Sequence, residues 1–525
     1  MNEPLRCLQT PLRWGVLLLL VLPGWTAGQD ATLPAKRPPN LVLFLVDDMG
    51  WQDTSVPFHT ERTPFNQRYQ TPNMEALAAD GVTFTQGYAT SVCSPTRISL
   101  MTGQNAARHR VTNWTLRRNQ STDARHPTLD FPSWNVNGLS ADPETPRAVH
   151  APSLPMLLRD GGYHTIHIGK AHFGAIDTPG EDPLNLGFDV NVAGHAAGAP
   201  GSFLGTQNFS AAWRKGDRVW DVPHLEKYHG KEVFLTEALT IEAKRTIDDA
   251  VKKEQPFFLY LSHYAVHVPF ARDPRFYDKA IETAYGKREA MYAAMIAGMD
   301  HSLGEIRTHL AKHDRTDDTV ILLVSDNGGL SAHGRDGKAH THNRPLSSGK
   351  GSAHEGGTRV PLIVSWPGVT RSGTRCTAPV IVEDLFATLL EIGRTPLPTE
   401  ANIDGQSVVP LLRGEEQPGR ESRPLVWHYP HNWGPRGPGI GATSAMRLGD
   451  WKLIYRHADQ QYELYDLAQD LEERNNLASA RPKVRDRLAG KLGRELAAVK
   501  AQMPIVRETG KRVPYPGSKP TKGDR

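Results

Sequence analysis

Residues 41–46 read Leu-Val-Leu-Phe-Leu-Val, an apolar run with no polar break. A strand with one face in water alternates apolar and polar side chains, so an unbroken run belongs in a sheet covered on both faces. Residues 257–261 and 320–324 repeat the pattern, and 163–168 and 362–365 approximate it. Segments with helical spacing lie between them, over 73–80, 154–160, 232–252, 287–312 and 382–392. This alternation from Asn40 to Arg394 predicts an α/β fold, a mixed but mainly parallel sheet sandwiched by helices.

Beyond Gly405 and the Pro-, Gly- and charge-rich stretch 414–423 the pattern changes. Residues 443–448, 451–455 and 461–465 read as short antiparallel strands. A helix follows over 481–503, with Pro482 in its first turn. The expected organisation is an α/β domain over 29–405, a smaller C-terminal α+β domain with a short antiparallel sheet over 406–505, and a flexible tail over 506–525. Two insertions, 112–150 and 193–223, lack periodicity and carry Trp114, Trp134, Trp213 and Trp220. They read as functional loops, with the tryptophans serving either as sugar platforms or as packing.

Composition removes several function classes. Three Cys are too few for a disulfide framework, and 38% apolar content with a net charge of +4 excludes wholesale disorder. The basic residues are scattered with no interleaved aromatic stripe, so no nucleic-acid partner is expected. At the N-terminus Arg6 and Arg13 precede an apolar run over 16–22, and Thr26-Ala27-Gly28 offers small residues for cleavage before Gln29. Residues 1–28 read as a signal peptide, because the run falls far short of the ~20 residues that span a bilayer. The expected mature chain passes through the secretion machinery, is periplasmic or secreted, and has no membrane span. Cys7 leaves with the leader. A bridge between the remaining Cys93 and Cys376 is the plain alternative to any chemical role for Cys93.

The residues just beyond each apolar run point to chemistry. Residues 41–46 end in Asp47-Asp48, 163–168 in Gly169-Lys170-Ala171-His172, and 320–324 in Ser325-Asp326-Asn327-Gly328; 257–261 leads to His263 and His267-Val268-Pro269. Ligands of open α/β sheets sit outside the carboxyl ends of the strands, so these groups are expected to form one polar site. Asp47, Asp48, Asp326 and Asn327 offer only oxygen, which suits Ca²⁺ or Mg²⁺ and disfavours zinc. Lys170 and His172 then suit an anionic substrate, a phosphate or sulfate ester opened by metal-assisted displacement. Cys93, in Cys93-Ser94-Pro95-Thr96-Arg97, supplies a nucleophile position, with Pro95 suited to a helix first turn.

With Leu100-Met101-Thr102-Gly103, Gly349-Lys350-Gly351, the run from Glu355 to Pro361, and Leu464-Tyr465-Asp466-Leu467 before Asn476-Leu477, these motifs span most of 40–478. The chain resembles a type I, formylglycine-dependent sulfatase of the alkaline phosphatase superfamily. The resemblance implies an alkaline-phosphatase-like fold and a maturation enzyme that converts Cys93 to Cα-formylglycine. It implies Ca²⁺, less readily Mg²⁺, on Asp47, Asp48, Asp326 and Asn327. It also implies attack on sulfur by one hydroxyl of the hydrated aldehyde, with Arg97 holding the diol bidentately. Lys170 and Lys350 grip sulfate oxygens, His267 rather than His263 protonates the leaving oxygen, and His172 acts on the second hydroxyl. His195, His354, His428, His431 and Arg118 read as surface polar residues.

The tryptophan- and histidine-bearing insertions favour a sulfated carbohydrate over a small aryl sulfate, because sugars need flat apolar faces and convergent donors. The expected activity is exo-desulfation of a sulfated polysaccharide or glycosaminoglycan fragment, such as a galactose or N-acetylgalactosamine sulfate. Three rivals stay open: a broad arylsulfatase, a phosphodiester or phosphonate monoester hydrolase on the same scaffold, and an inactive sulfated-glycan-binding protein.

Overall fold

The computed structural model describes residues 37–518. The expected leader over 1–28, with Cys7, lies outside the described residues. The strand Asn40–Val46 sits mid-sheet, parallel to Thr319–Ser325 on one side and to Phe257–Ser262 on the other. Beyond Phe257–Ser262 come His164–Gly169 and Val190–Val192. Beyond Thr319–Ser325 come Arg359–Ser365, Val82–Tyr88 and Val380–Ile381, with Thr374–Cys376 also beside Val82–Tyr88. Within this nine-stranded sheet Arg359–Ser365 alone runs against its neighbours. The sheet is therefore mixed but mainly parallel.

The unbroken apolar runs have a direct structural cause. Leu41, Leu43 and Leu45 pack into one core, while Val42, Phe44 and Val46 of the same strand pack into another on the opposite face. Leu235–Lys252 and Lys287–Lys312 cover the second face through Leu239, Ile247, Ile296 and Leu303. Cys93–Thr102, Leu154–Asp160 and Val382–Ile392 cover the first. Val82–Tyr88 escapes a sequence reading because Thr83, Thr85, Gln86 and Gly87 dilute its apolar content. It is nevertheless buried and bulged between Phe84 and Gly87.

The C-terminal strands form a four-stranded antiparallel sheet in the order Leu425–Tyr429, Thr443–Leu448, Trp451–Arg456, Tyr462–Asp466, followed by the helix Pro482–Ala498. This sheet is not an independent body. Leu425, Trp427, Ala445, Ile454 and Tyr465 belong to the same core as Leu41 and Leu43. One expectation needs correction. Over its described part, 506–518, the supposed flexible tail is tied down: Ile505–Val506 pairs with Leu129–Asp130, and Val513 is buried beside Met503 and Tyr455. Its few apolar side chains suffice because a partner strand and an apolar patch await them. The insertion 112–150 places Trp134 in the core, whereas Trp213 of 193–223 is 52% exposed.

The two sheets meet over a fully buried ion cluster. Lys452 Nζ lies 2.8 Å from Glu355 Oε1 and 3.4 Å from Glu473 Oε1, and Tyr88 donates to Glu355 Oε2 at 2.7 Å. Removing one partner of such a set strands the other charges in a low-dielectric interior. Lys452→Met is expected to cost about 3–5 kcal/mol. A lowered urea midpoint would register the loss; an unchanged midpoint would mean the cluster contributes nothing to holding the sheets together.

Candidate active site

Parallel pairing sets the register of the site. Because Asn40–Val46, Phe257–Ser262, Thr319–Ser325 and His164–Gly169 run the same way, their carboxyl ends lie side by side. The pairing continues past the strands: Asp326 N donates to Val46 O, Asp47 N to Ala265 O and Lys170 N to Ser262 O. Asp47, Asp48, Asp326, Asn327 and Lys170 are thus delivered to one edge by backbone hydrogen bonds. Asp48 and His172 adopt left-handed backbone, with φ of 59° and 56°, and such conformations at non-glycine residues are kept mainly where surrounding structure imposes them.

Each carboxylate has its own cation. Lys170 Nζ is 2.7 Å from Asp47 Oδ2, and Lys350 Nζ is 2.7 Å from Asp48 Oδ1. Arg97 donates through Nε and Nη2 to Asp326 Oδ2 at 3.0 and 2.8 Å. Its Nη1 serves the Lys170 carbonyl at 2.9 Å and Ser262 Oγ at 2.7 Å. Four of the five guanidinium hydrogens are thereby engaged. Two of these donors meet Asp326, and the guanidinium lies fully buried beneath the strand ends. Sequence reasoning missed Ser262, which looked like the end of a strand and nothing more.

The three carboxyls are shifted in different directions. Burial and the neighbouring Asp326 push the Asp47 carboxyl well above the ordinary range despite Lys170. Burial also opposes ionisation of Asp48 and Asp326, but Lys350 and His267 hold Asp48 low, and Arg97 with Lys170 holds Asp326 low. Burial and the neighbouring carboxylates therefore outweigh Lys170 at Asp47. Asn327 gives a second sign. Its Nδ2 donates to Asp48 Oδ1 at 2.8 Å, while its buried Oδ1 has no partner. Three buried carboxyls and an orphaned carbonyl oxygen gathered at one edge together fit a hard divalent cation.

Cys93 opens the helix Cys93–Thr102, its Sγ 3.8 Å from Asp47 Oδ1. Cys93 and Cys376 are both free, so the bridge between them is absent. Burial pushes the Cys93 thiol up to about 12, which makes it a poor thiolate nucleophile as it stands. His267 Nδ1 donates to Val268 O at 2.8 Å, leaving Nε2 toward Asp48 Oδ2 at 3.6 Å. Burial and Lys350 lower its pKa to about 3. His263 faces away from this group, bonded to Ser302 Oγ at 2.9 Å. His172 donates from Nε2 to the Thr115 carbonyl at 2.8 Å, and its buried Nδ1 has no partner.

Above these groups opens a cavity of about 330 Å³, lined by Cys93, His172, His267 and Lys350 and walled by Trp114, Trp220 and Trp433. The two aperiodic insertions supply Trp114, Trp220 and Gly198. A side chain at Gly198 would collide with the His172 ring, only 2.3 Å from where its Cβ would stand. Trp433 comes from the C-terminal segment and lies 5.9 Å from Lys350 Nζ; Gly351, at φ +84°, accepts its indole where any Cβ would clash. Trp433 and His333 were not foreseen, and their loops carry no motif that would have marked them. His354, His428 and His431 are buried rather than surface groups, each packed against interior partners, and His195 is partly buried. His354 sits 3.0 Å from Glu463, and His431 sits 2.6 Å from Thr112 Oγ1. Arg118 is exposed, and among the described residues none of these five lines the cavity.

Comparison with known proteins agrees in extent. The Sulfatase family profile matches residues 39–393, and that of the N-sulphoglucosamine sulphohydrolase C-terminal region matches 349–502. A sulfatase of Formosa agariphila is 29% identical, covering 95% of this chain and 96% of its own. The N-acetylgalactosamine-6-sulfatase of Mus musculus is 30% identical over 80% of this chain and 72% of its own. Among solved structures, Ps i-CgsB in complex with k-i-k-neocarrahexaose superposes with a TM-score of 0.70 at 25% identity, over 88% of this chain and 93% of its own.

The geometry of Arg97 generates a sharp expectation. Lysine keeps the charge but cannot reach Asp326, Ser262 and the Lys170 carbonyl from one planar head. Arg97→Lys is expected to reduce kcat/KM at least 100-fold while the purified protein stays folded by circular dichroism. Activity within threefold of the parent would show that the fork does not organise the site.

Proposed function

This chain belongs to the sulfatase family and hydrolyses sulfate esters, and from that premise we propose that its substrate is a sulfated carbohydrate, a galactose or N-acetylgalactosamine sulfate at the end of a polysaccharide or glycosaminoglycan fragment. The observation that carries this reading is the cavity itself, with Lys350 and Cys93 at its floor and three indoles in its walls. A small aryl sulfate needs one flat contact, whereas a sugar gains from several apolar faces set around a polar centre. A volume of about 330 Å³ suits one sulfated ring rather than a run of them, which favours exo action. The N-acetylgalactosamine-6-sulfatase name carried by the mouse relative points the same way.

We further propose that a formylglycine-generating enzyme matures Cys93, and that Asp47, Asp48, Asp326 and Asn327 hold Ca²⁺. Together these groups supply a hydroxyl nucleophile of lowered pKa and neutralise charge on the sulfate. Lys170 and Lys350 act as point charges against sulfate oxygens. Arg97 positions Asp326, with one hydrogen left to offer. His267 hands a proton from Nε2 to the departing sugar oxygen, since its Nδ1 hydrogen is held by Val268 O. An anionic ester beside that ring favours its charged form, offsetting the burial that otherwise lowers its pKa. His172 accepts a proton at Nδ1, the atom left free by the bond from Nε2 to Thr115 O. Export through the residue 1–28 leader, to the periplasm or beyond, completes the reading; no helix among the described residues is long and apolar enough to cross a membrane.

Four measurements test it. The peptide containing Cys93 from active enzyme should be about eighteen mass units lighter than its thiol form; an unchanged thiol in fully active enzyme would refute maturation. Chelation should abolish turnover, and Ca²⁺ should restore it better than Mg²⁺. Against a panel of sulfated monosaccharides and nitrophenyl sulfate and phosphate esters, a galactose or N-acetylgalactosamine sulfate should be the best substrate. Trp433→Ala should cost about tenfold in kcat/KM on the sugar and less on the aryl ester. Turnover of aryl sulfates alone, or a preference for phosphate, would remove the carbohydrate assignment.

A further inference from the structure

Away from the catalytic edge, three metal-ligating side chains converge on one point. His309 lies in the last turn of Lys287–Lys312 and His313 caps that helix, while Asp248 stands near the end of Leu235–Lys252. His309 Nε2 and His313 Nε2 each lie 2.7 Å from the same oxygen, Asp248 Oδ1. The three ligand atoms fall within 4.8 Å of one another, and the two rings are 4.9 Å apart at 71°. All three side chains are partly exposed, so an ion can enter from solvent. We propose that Asp248, His309 and His313 form a second metal site, specific for a borderline transition-metal dication such as Zn²⁺, that staples these two helices together.

The chemistry separates this cluster from the catalytic one. Two imidazoles and one carboxylate are a poor set for Ca²⁺, which takes six to eight oxygens, and a good one for Zn²⁺, with water as a fourth ligand. Histidines at i and i+4 present both rings on one helix face, the spacing that zinc-binding helices use. Tetrahedral zinc with bonds near 2.0–2.1 Å sets neighbouring ligand atoms about 3.3 Å apart. The Nε2–Oδ1 pairs must therefore open by roughly 0.6 Å, a movement that side-chain rotation can supply. Both helices end here, so their carbonyl termini add a favourable negative potential. Each helix leads into the start of a parallel strand, Phe257–Ser262 or Thr319–Ser325, so the cluster lies at the sheet edge opposite the active site. Without an ion, Asp248 accepts from both rings; burial opposes ionisation of its carboxyl, but the hydrogen bonds and charge of His313 and His309 together hold it below the ordinary range.

Zn²⁺ titration of the Ca²⁺-saturated full chain tests the site against a plain pair of hydrogen bonds between helices. The parent should bind one more Zn²⁺ than His309→Gln or His313→Gln, with at least tenfold tighter affinity for that ion. Its thermal midpoint should rise with Zn²⁺ where theirs does not. Desulfation by the variants should stay at the parent level, which separates this site from the catalytic reading and verifies folding. Co²⁺ on the parent should give the intense visible bands of a tetrahedral site, displaced by Zn²⁺, and this readout needs no variant. Equal Zn²⁺ titrations for parent and variants, or no such Co²⁺ bands, would overturn the proposal.

Discussion

Asp47, Asp48 and Asp326 are forced together by strand pairing, and the structure around them is arranged to make that tolerable. Parallel neighbours cannot be offset without flipping side chains between the two cores, so the three carboxylates have no freedom to move apart. Like charges at such range in a dry interior are prohibitive unless opposed. Lys170, Lys350 and Arg97 oppose them from three different elements: a strand end, a loop and a helix. Each of these cations is itself buried, and the carboxylates raise the pKa of Arg97 and Lys350 against the cost of burial. The site is therefore a mutually dependent set, and losing any one member strands the others.

This dependence reaches into the C-terminal sheet. Lys350 is steadied by Trp433, and Trp427 donates to the Ala89 carbonyl at 2.8 Å, just ahead of the segment that leads into Cys93. The Lys452 cluster ties Glu355, five residues beyond Lys350, to the antiparallel strands. The smaller sheet thus acts as a backing plate for the loop that carries Lys350 and as the source of one cavity wall. Sharing a core with the α/β sheet, it fixes those contacts more firmly than a mobile neighbouring domain would.

Reading the sequence succeeded where one physical rule dominated. Runs buried on both faces must be apolar throughout, so the central strands were visible, and the residues just beyond them had to meet at one edge. It failed where tertiary context overrode local pattern. Val82–Tyr88 is a strand because it fits between Arg359–Ser365 and Val380–Ile381, not because its residues alternate. Residues 506–518 are ordered by a partner strand more than 370 residues earlier. Ser262 and Trp433 matter through what they touch, Arg97 and Lys350, and neither contact leaves a trace at short sequence separation. The contact of Arg97 with Asp326 is hidden for a related reason: 229 residues separate the two in the chain.

The two proposed ligand sets on this chain differ in few physical respects. Both exploit strand–helix alternation, which gathers the ends of sequence-distant elements at the edges of the sheet. At the carboxyl edge the gathered groups are short, oxygen-bearing and buried, which suits a hard cation. At the opposite edge helix ends present imidazoles at the surface, already satisfied by a single carboxylate, which suits a softer ion that only tightens existing packing. The difference lies in the depth of the groups and the softness of their donor atoms, and the parallel sheet, by sending strand ends and helix ends to opposite edges, keeps the two chemistries apart.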